Sequence, residues 1–513
     1  MNYDLLLYNG NFVRFDKKFN YNWIVINKDI IVDSGFEEDL TKFNKYDGNC
    51  NQQIDLDGKT VLPGFYDSHV HFIQTALHLD NLDLNGTVNY VELQDRINQW
   101  ILKNPDCNLI IGYGLEISEL EEKGFPNRRF LDSLSKEHAI FISSRDFHIS
   151  ALNTKAINML HPPLTIEGVE SDEKGNPTGV FYGKANALIR KRVLQSTETS
   201  EKIDCIKRLS EHVIKKGVTS IHAVEGGFDF SENDAELLYS LINELPFDVT
   251  LFYSTTDISK IRDKGMSRIG GDIFLDGSFT SFNAALNFNY NNENHNGTLY
   301  FGQEDLNEFI LECYKNNLDT SLHAVGDRAV DQILKAHLYA RSIIPNDKLR
   351  HRIEHAEITS KEQRQTAKDL GIIFSMQPAF EYFYGGKNSM YENRLGSYYT
   401  KTNQFRTLID EGILICGGSD SDLTPIDPIL GIHAAVNHPI HENRITVEEA
   451  VKMFTINPAY SVYEENIKGS IEIGKVADLV VLEKDIFKIN QKAIITTQVL
   501  GTMKNGSFIY KIF

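Results

Sequence analysis

Two histidines one residue apart, His69 and His71, close the run Val61-Leu-Pro-Gly-Phe-Tyr-Asp-Ser-His-Val-His71. In an extended strand every second side chain shares a face, so both imidazoles can reach one ion. Pro63-Gly64 marks a sharp entry, which sets the strand to begin just after a turn and to end at the histidines. In a chain of sixteen histidines a lone His-x-His carries little weight. Its meaning depends on whether other ligands end later strands.

Three further residues do so. His323 closes Asp319-Thr-Ser-Leu-His, His355 closes His351-Arg-Ile-Glu-His, and Asp420 closes Ile413-Leu-Ile-Cys-Gly-Gly-Ser-Asp. Taken singly, each histidine reads as a satisfied core residue, and Asp420 as a helix N-cap. Taken together, four imidazoles and a carboxylate at strand ends make an N/O site suited to Zn²⁺ or another first-row ion.

The elements that must position these groups follow from patterning. Short apolar runs alternate with helical stretches through the middle of the chain, the signature of βα units and a parallel sheet. Candidate strands are 62–67, 109–112, 139–143, 218–222, 249–253, 273–275, 320–323, 353–355, 372–376 and 413–417. Eight suffice for a barrel, so the surplus is assigned to an insertion within about 73–200. Helices are expected over 89–102, 201–216, 304–316, 329–342, 361–370 and 447–455. Both chain ends carry alternating strand patterns, at 4–8, 11–14, 23–26 and 30–32 and again at 477–482, 494–500 and 507–511. Neither end can bury a face alone, so residues 1–58 and 466–513 are expected to pair into one composite β-sandwich, with 59–465 as the barrel.

Composition sets outer bounds. With 513 residues, 41% hydrophobic and 24% charged, the chain resembles an ordinary globular protein with room for a large core. The net charge of -19 argues against nucleic-acid and anionic-membrane partners. Five scattered cysteines without a Cys-x-x-Cys suggest a reducing compartment, and the opening residues carry no secretory pattern, so a cytoplasmic location is expected. A small-molecule substrate is the expected partner, and a homo-oligomer is left open.

The motifs resemble the amidohydrolase superfamily of metal-dependent hydrolases, in its YtcJ-like or amidohydrolase-3 branch, which includes N-substituted formamide deformylase-like proteins. The matching pieces are the stretch from Gly58 to His71, Asp146-Phe-His-Ile-Ser-Ala-Leu-Asn153, Asp276-Gly-Ser-Phe-Thr, His323-Ala-Val-Gly-Asp-Arg328, Arg352-Ile-Glu-His-Ala-Glu357, Gly418-Ser-Asp420 and Gly469 to Leu482. They span most of the chain in the family's order. The resemblance implies an α/β fold, a distorted (β/α)₈ TIM barrel with the composite sandwich. It also implies a hydrolase that cleaves a non-peptide C–N bond, of amide or formamide type, in a small molecule.

It further implies His69, His71, His323 and His355 as ligands of a divalent metal, preferably Zn²⁺, with one or two ions. Such an ion lowers the pKa of water to about 7 and supplies hydroxide. Asp420 would contact the metal, take the proton and pass it to the leaving nitrogen. Which of His323 and His355 binds metal and which instead steadies the substrate oxyanion stays open at this stage, so His355 is also a catalytic candidate. Family members often place a lysine ahead of Asp-Gly-Ser or a glutamate in a Gly-x-Leu-x-Glu segment as a bridging anion. Here Asp272 and Gly183 occupy those places, which leaves Lys184 as a candidate carboxylated ligand and favours one metal. His148, Asn153, Asp146 and Arg328 are candidate substrate contacts. The aromatic stretch 380–384 and its continuation to about 403 suggest a lid, His222 is as fit for support as for ligation, and His433, His438 and His441 read as a solvated cluster. The alternatives to a hydrolase are a regulatory or binding protein on the same fold and a ring deaminase. The first has no physical need to retain five buried ligands.

Overall fold

The computed structural model describes every residue except 1–2, 16, 37, 80, 106, 118–119, 146, 148 and 228–230, together with the side chain of residue 40. The chain divides into two compact units, one of residues 1–71, 210–225 and 236–513, the other of residues 72–209 and 226–235.

The first unit is built on eight parallel strands: β1 (Phe65–Val70), β2 (Val218–Glu225), β3 (Asp248–Tyr253), β4 (Arg268–Phe274), β5 (Asp319–Ala324), β6 (Arg352–His355), β7 (Ile373–Met376) and β8 (Ile415–Gly417). They form a three-stranded sheet ordered β3-β2-β1 and a five-stranded sheet ordered β4-β5-β6-β7-β8. At one pair of edges Val70 bridges Ser421 in parallel sense, and the Asp420 amide donates to the His69 carbonyl at 2.9 Å. At the other, the Asp272 amide donates to Ser254 Oγ at 3.1 Å. Six of these strands, β1, β2, β5, β6, β7 and β8, are buried along their whole length, as parallel strands covered on both faces are, while β3 and β4 are partly exposed toward their ends. Helices Gln303–Lys315, Asp327–Ile343, Lys361–Leu370, Phe405–Asp410 and Pro428–Val436 alternate with the later strands. Ser360 and Gln363 form a reciprocal cap at the start of Lys361–Leu370.

Glycines permit the closest approaches. A Cβ on Gly64 would lie 2.3 Å from Thr219 Oγ1, and one on Gly418 would lie 2.7 Å from the His69 nitrogen. The expected strand 62–67 is therefore two strands, Thr60–Pro63 and β1, split at Gly64.

Both chain ends meet in one five-stranded sheet ordered Asn11–Phe12, Thr60–Pro63, Leu479–Leu482, Val499–Lys504, Ser507–Lys511. A second sheet runs Ile30–Gly35, Trp23–Asn27, Tyr3–Tyr8, Cys50–Asp55. Leu5, Leu7, Ile24, Ile26, Val61, Leu479, Val481 and Met503, drawn from both sheets, share one apolar core. Two details depart from expectation. Cys50–Asp55 pairs with Tyr3–Tyr8 in parallel sense, which makes this sheet mixed. Residues 494–496 belong to a 3₁₀ turn, Gln491–Thr496, because the Asn490 side chain accepts from the Lys492 amide and caps it.

The second unit holds a six-stranded mixed sheet ordered Val169–Ser171, Pro177–Tyr182, Ile149–Leu152, Ala139–Ser144, Leu109–Leu115, Leu82–Asp83. The candidate strands at 109–112 and 139–143 lie here. No described helix is long and apolar enough to cross a membrane.

Candidate metal centre

The C-terminal ends of β1, β5 and β6, the segment after β8 and the body of β4 bring His69, His71, His323, His355, Asp420 and Asp272 together, all buried. Asp420 Oδ1 lies 3.4 Å from His69 Nε2 and 3.2 Å from His71 Nε2. Asp272 Oδ1 lies 3.9 Å from His69 Nε2, 3.5 Å from His323 Nδ1 and 3.6 Å from His355 Nε2. Its other oxygen is 3.6 Å from His71 Nε2. Three overlapping sets could each hold an ion: His69, His71 and Asp272; Asp272, His323 and His355; and His69, His355 and Asp420.

Backbone geometry singles out the same place. Asp420, His355 and Ala356 adopt left-handed φ values of 53°, 71° and 48°. Each such residue costs roughly 1–3 kcal/mol and persists only where its surroundings impose it. At His355 the turn breaks the strand's alternation. A regular strand would aim Glu354 and His355 at opposite faces, whereas here both face the histidine cluster.

The donor set fits a divalent cation. His69 Nε2, His323 Nδ1, His355 Nε2, Asp272 Oδ1 and Asp420 Oδ1 are buried, converge, and have no hydrogen-bond partner. Buried polar atoms are almost always satisfied, and a cation at their focus would satisfy all five. The charges agree. Burial opposes protonation of His69 and His323, yet Asp272 and Asp420 outweigh it at His69, and Asp272 raises His323 to about 9. Burial disfavours the charged forms of Asp272 and Asp420, but His69 and its neighbours hold both far below the usual carboxylate range. The centre thus attracts positive charge.

Three imidazoles are anchored through their other nitrogen. His69 Nδ1 bonds Glu354 Oε2 at 2.7 Å, His355 Nδ1 bonds Gln377 Oε1 at 2.8 Å, and His323 Nε2 bonds the Gly277 carbonyl at 3.2 Å. Burial would keep Glu354 neutral, but the Arg352 guanidinium overrides it and holds the carboxyl down at about 2. Arg352 is fully buried and also donates to the Ser68 carbonyl at 2.7 Å and Ser375 Oγ at 3.0 Å.

Other sequence candidates fall elsewhere. Lys184 is exposed in the first turn of Gly183–Ser196, in the second unit, and belongs to none of the ion-holding sets among the described residues. A ligand role does not fit an exposed amine, and Asp272 is the group found facing the histidines. Asn153 is a structural cap. Its Oδ1 accepts from the Ala156 and Ile140 amides, and its Nδ2 donates to the Ser135 and His138 carbonyls, which leaves nothing for a substrate. Arg328 grips the loop backbone at Asn296 and Gly297, the latter at 2.9 Å. Asp146 and His148 lie outside the described residues. His222 accepts from Arg352 Nη1 at 2.8 Å and supports the centre from behind. His433 and His438 are buried, and only His441 of that cluster is exposed, because His438 packs against Phe405 with Nε2 3.6 Å from Glu381. The 380–403 segment is helical at Pro378–Phe383 and Met390–Leu395, and Tyr391 donates its hydroxyl to buried Glu357.

Asp272, which the sequence puts at the bridging anion's place, was not counted there as a ligand, and Glu354 and Gln377 escaped the sequence reading. A signal for the first existed: β4 begins at Arg268, so Asp272 sits inside a buried strand where an unpaired carboxylate has no reason to be.

Comparison with known proteins agrees with this geometry. YtcJ of Bacillus subtilis is 26% identical, over 95% of this chain and 96% of its own. The N-substituted formamide deformylase of Arthrobacter pascens is 24% identical over 89% and 90%. An uncharacterized metal-dependent hydrolase from Pyrococcus furiosus superposes with a TM-score of 0.77 at 26% identity, covering 94% of this chain and all of its own. The amidohydrolase family model matches residues 52–510, and the chain therefore belongs to the amidohydrolase family, in its YtcJ-like, amidohydrolase-3 branch.

Proposed function

We propose that this metal-dependent hydrolase cleaves a non-peptide C–N bond, of amide or formamide type, in a small molecule, and works in the cytoplasm. The five converging orphan atoms carry this reading. The fold it rests on is a (β/α)₈ barrel of β1 to β8, with the two end sheets as a composite β-sandwich and the second unit as an insertion. The Val70–Ser421 bridge and the shared core of the end sheets support that architecture.

His69, His71 and Asp420 would hold one cation and His323 and His355 a second, preferably zinc, with Asp272 between them. When bound, the ions supply Lewis acidity toward the scissile carbonyl and acidify water at neutral pH. Asp420 presents a carboxylate oxygen to the centre and is positioned to accept a proton and return it to the leaving nitrogen. Asp272, whose oxygens lie 3.5 to 3.9 Å from nitrogens of all four histidines, would add negative charge to the centre, the part a carboxylated lysine plays where one is present. Gln377 and Glu354 fix the rings of His355 and His69. The similarity to the formamide deformylase supports an N-acyl or N-formyl substrate.

The test is a panel of N-acyl, N-formyl and ring-amine compounds offered to the zinc-, manganese- and iron-loaded protein. The expected result is metal-dependent release of an amine from an amide or formamide. Turnover of ring amines alone would replace this reading with deamination, and metal binding without any turnover would leave a binding protein.

A further inference from the structure

Each anchored imidazole leans on a different kind of partner. His69 meets a carboxylate at 2.7 Å, His355 an amide oxygen at 2.8 Å, and His323 a backbone carbonyl at 3.2 Å. Of these three hydrogen-bond partners only the first carries formal charge; the Asp276 carboxylate lies 3.6 Å from His323 Nε2, beyond hydrogen-bond reach, and its oxygens accept instead from the Val325, Gly326 and Ala285 amides. Glu354 is fully buried, and Arg352 donates to it from Nε and Nη2, both at 2.9 Å. Ser321 Oγ donates to it as well. With its lone pairs so engaged, Glu354 accepts the Nδ1 proton of His69 and leaves the Nε2 lone pair aimed at the centre. Arg352 is itself fixed by Ser68, Ser375 and His222, so the carboxylate cannot swing away.

A charged acceptor on the far nitrogen makes an imidazole a stronger donor to a metal than a neutral acceptor does. Arg352 offsets part of that charge, but Glu354 still presents a carboxylate oxygen to His69 where His355 and His323 meet neutral oxygens. The two cation positions of the proposed centre are therefore supported unequally.

We infer that Glu354 is a positioning residue that sets unequal grip on the two cation positions, so that the His69–His71–Asp420 side fills first and the His323–His355 side stays exchangeable. This inference rests on the hydrolase reading above and goes beyond it, since that reading needs both positions but ranks neither.

The test is a zinc titration of the stripped full-length protein against a chromophoric chelator. Wild type is expected to bind in two resolved steps, the tighter one surviving in His323→Ala. Glu354→Gln should weaken that tighter step roughly 10- to 100-fold while the weaker step moves less than about threefold, with Glu354→Asp recovering part of the loss. A merely structural role would instead weaken both steps alike. If the glutamine variant does not fold, Gln377→Glu carries the test by placing a carboxylate behind His355, and it should strengthen the weaker step and narrow the gap. Equal steps in wild type, equal weakening in Glu354→Gln, or no effect of Gln377→Glu would overturn the inference while leaving the hydrolase reading intact. Failure of wild type to take up any zinc, manganese, iron or nickel would overturn both.

Discussion

Asp420 meets two demands with one side chain. Its left-handed backbone turns the carboxylate inward, and its own amide is spent on the His69 carbonyl, so the oxygen nearest the histidines is free of protein hydrogen bonds. In the proposed reaction that oxygen moves the proton. Asp420→Asn keeps the shape and removes the base, so turnover of whichever amide the wild type hydrolyses should fall roughly 10²- to 10⁴-fold while the histidines still retain metal. Steady-state kinetics beside metal analysis checks this, and retained activity would remove Asp420 from the proton path. Asp272 yields a second prediction. As an aspartate it needs no carboxylation, so metal uptake should not respond to added bicarbonate, and Asp272→Ala should lose one of two ions. Bicarbonate-stimulated uptake would point back to a lysine. The histidines and Asp420 were legible because each ends an apolar run. Asp272 was legible only as the residue at the bridging anion's place, and Glu354 not at all as a support, because both lie inside strands, where alternation alone cannot distinguish a supporting carboxylate from a salt-bridged one.

At the scale of elements, β5 and the helix Asp327–Ile343 enclose two buried histidines at the end away from the metal centre. His337 Nδ1 shares a hydrogen bond with the Tyr314 hydroxyl, 3.3 Å away, and its ring centroid lies 4.4 Å from that of His351. Burial depresses His337 from 6.5 to about 3, and burial together with His337 depresses His351 well below its ordinary value. Both are neutral when folded and protonate when unfolded. Their stabilisation is therefore complete above about pH 6.5 and is lost as pH falls toward 3, with His337 contributing about 2 kcal/mol of loss by pH 5. Urea unfolding at pH 7 and pH 5 should show that loss shrinking in His337→Gln, and an identical pH slope in the variant would refute it. The approach of β8 to β1 is equally exacting. Gly418→Ala would drive a methyl group into the His69 backbone and should cost both stability and metal affinity, read by thermal melting and zinc titration. Helix spans were read well from sequence because caps such as Asn89 and Ser360 are local signals. The turn at Pro63-Gly64 was legible, but the bounds 62–67 ran across it, since Thr60–Pro63 and β1 form one apolar run in sequence and only their partners differ.

For the whole molecule, the ends of the chain share a sheet that feeds directly into β1, so the first two candidate ligands hang from an element secured by both termini. That pairing was legible because neither end carries enough strands alone. The strands of the second unit were legible only as a surplus over eight, because their sheet is held by contacts that no local pattern encodes. If the centre binds cations, they bind the folded form only and stabilise it by mass action, so chelation should lower the thermal midpoint and zinc should restore it. The central claim, that the converging histidines and aspartates are a metal centre, is tested most directly by metal analysis of the chelator-stripped protein after reloading, beside the variant His69→Ala/His323→Ala. The account predicts stoichiometric divalent metal in wild type and almost none in the double variant. Metal-free wild type, or a double variant that binds as much, would contradict it.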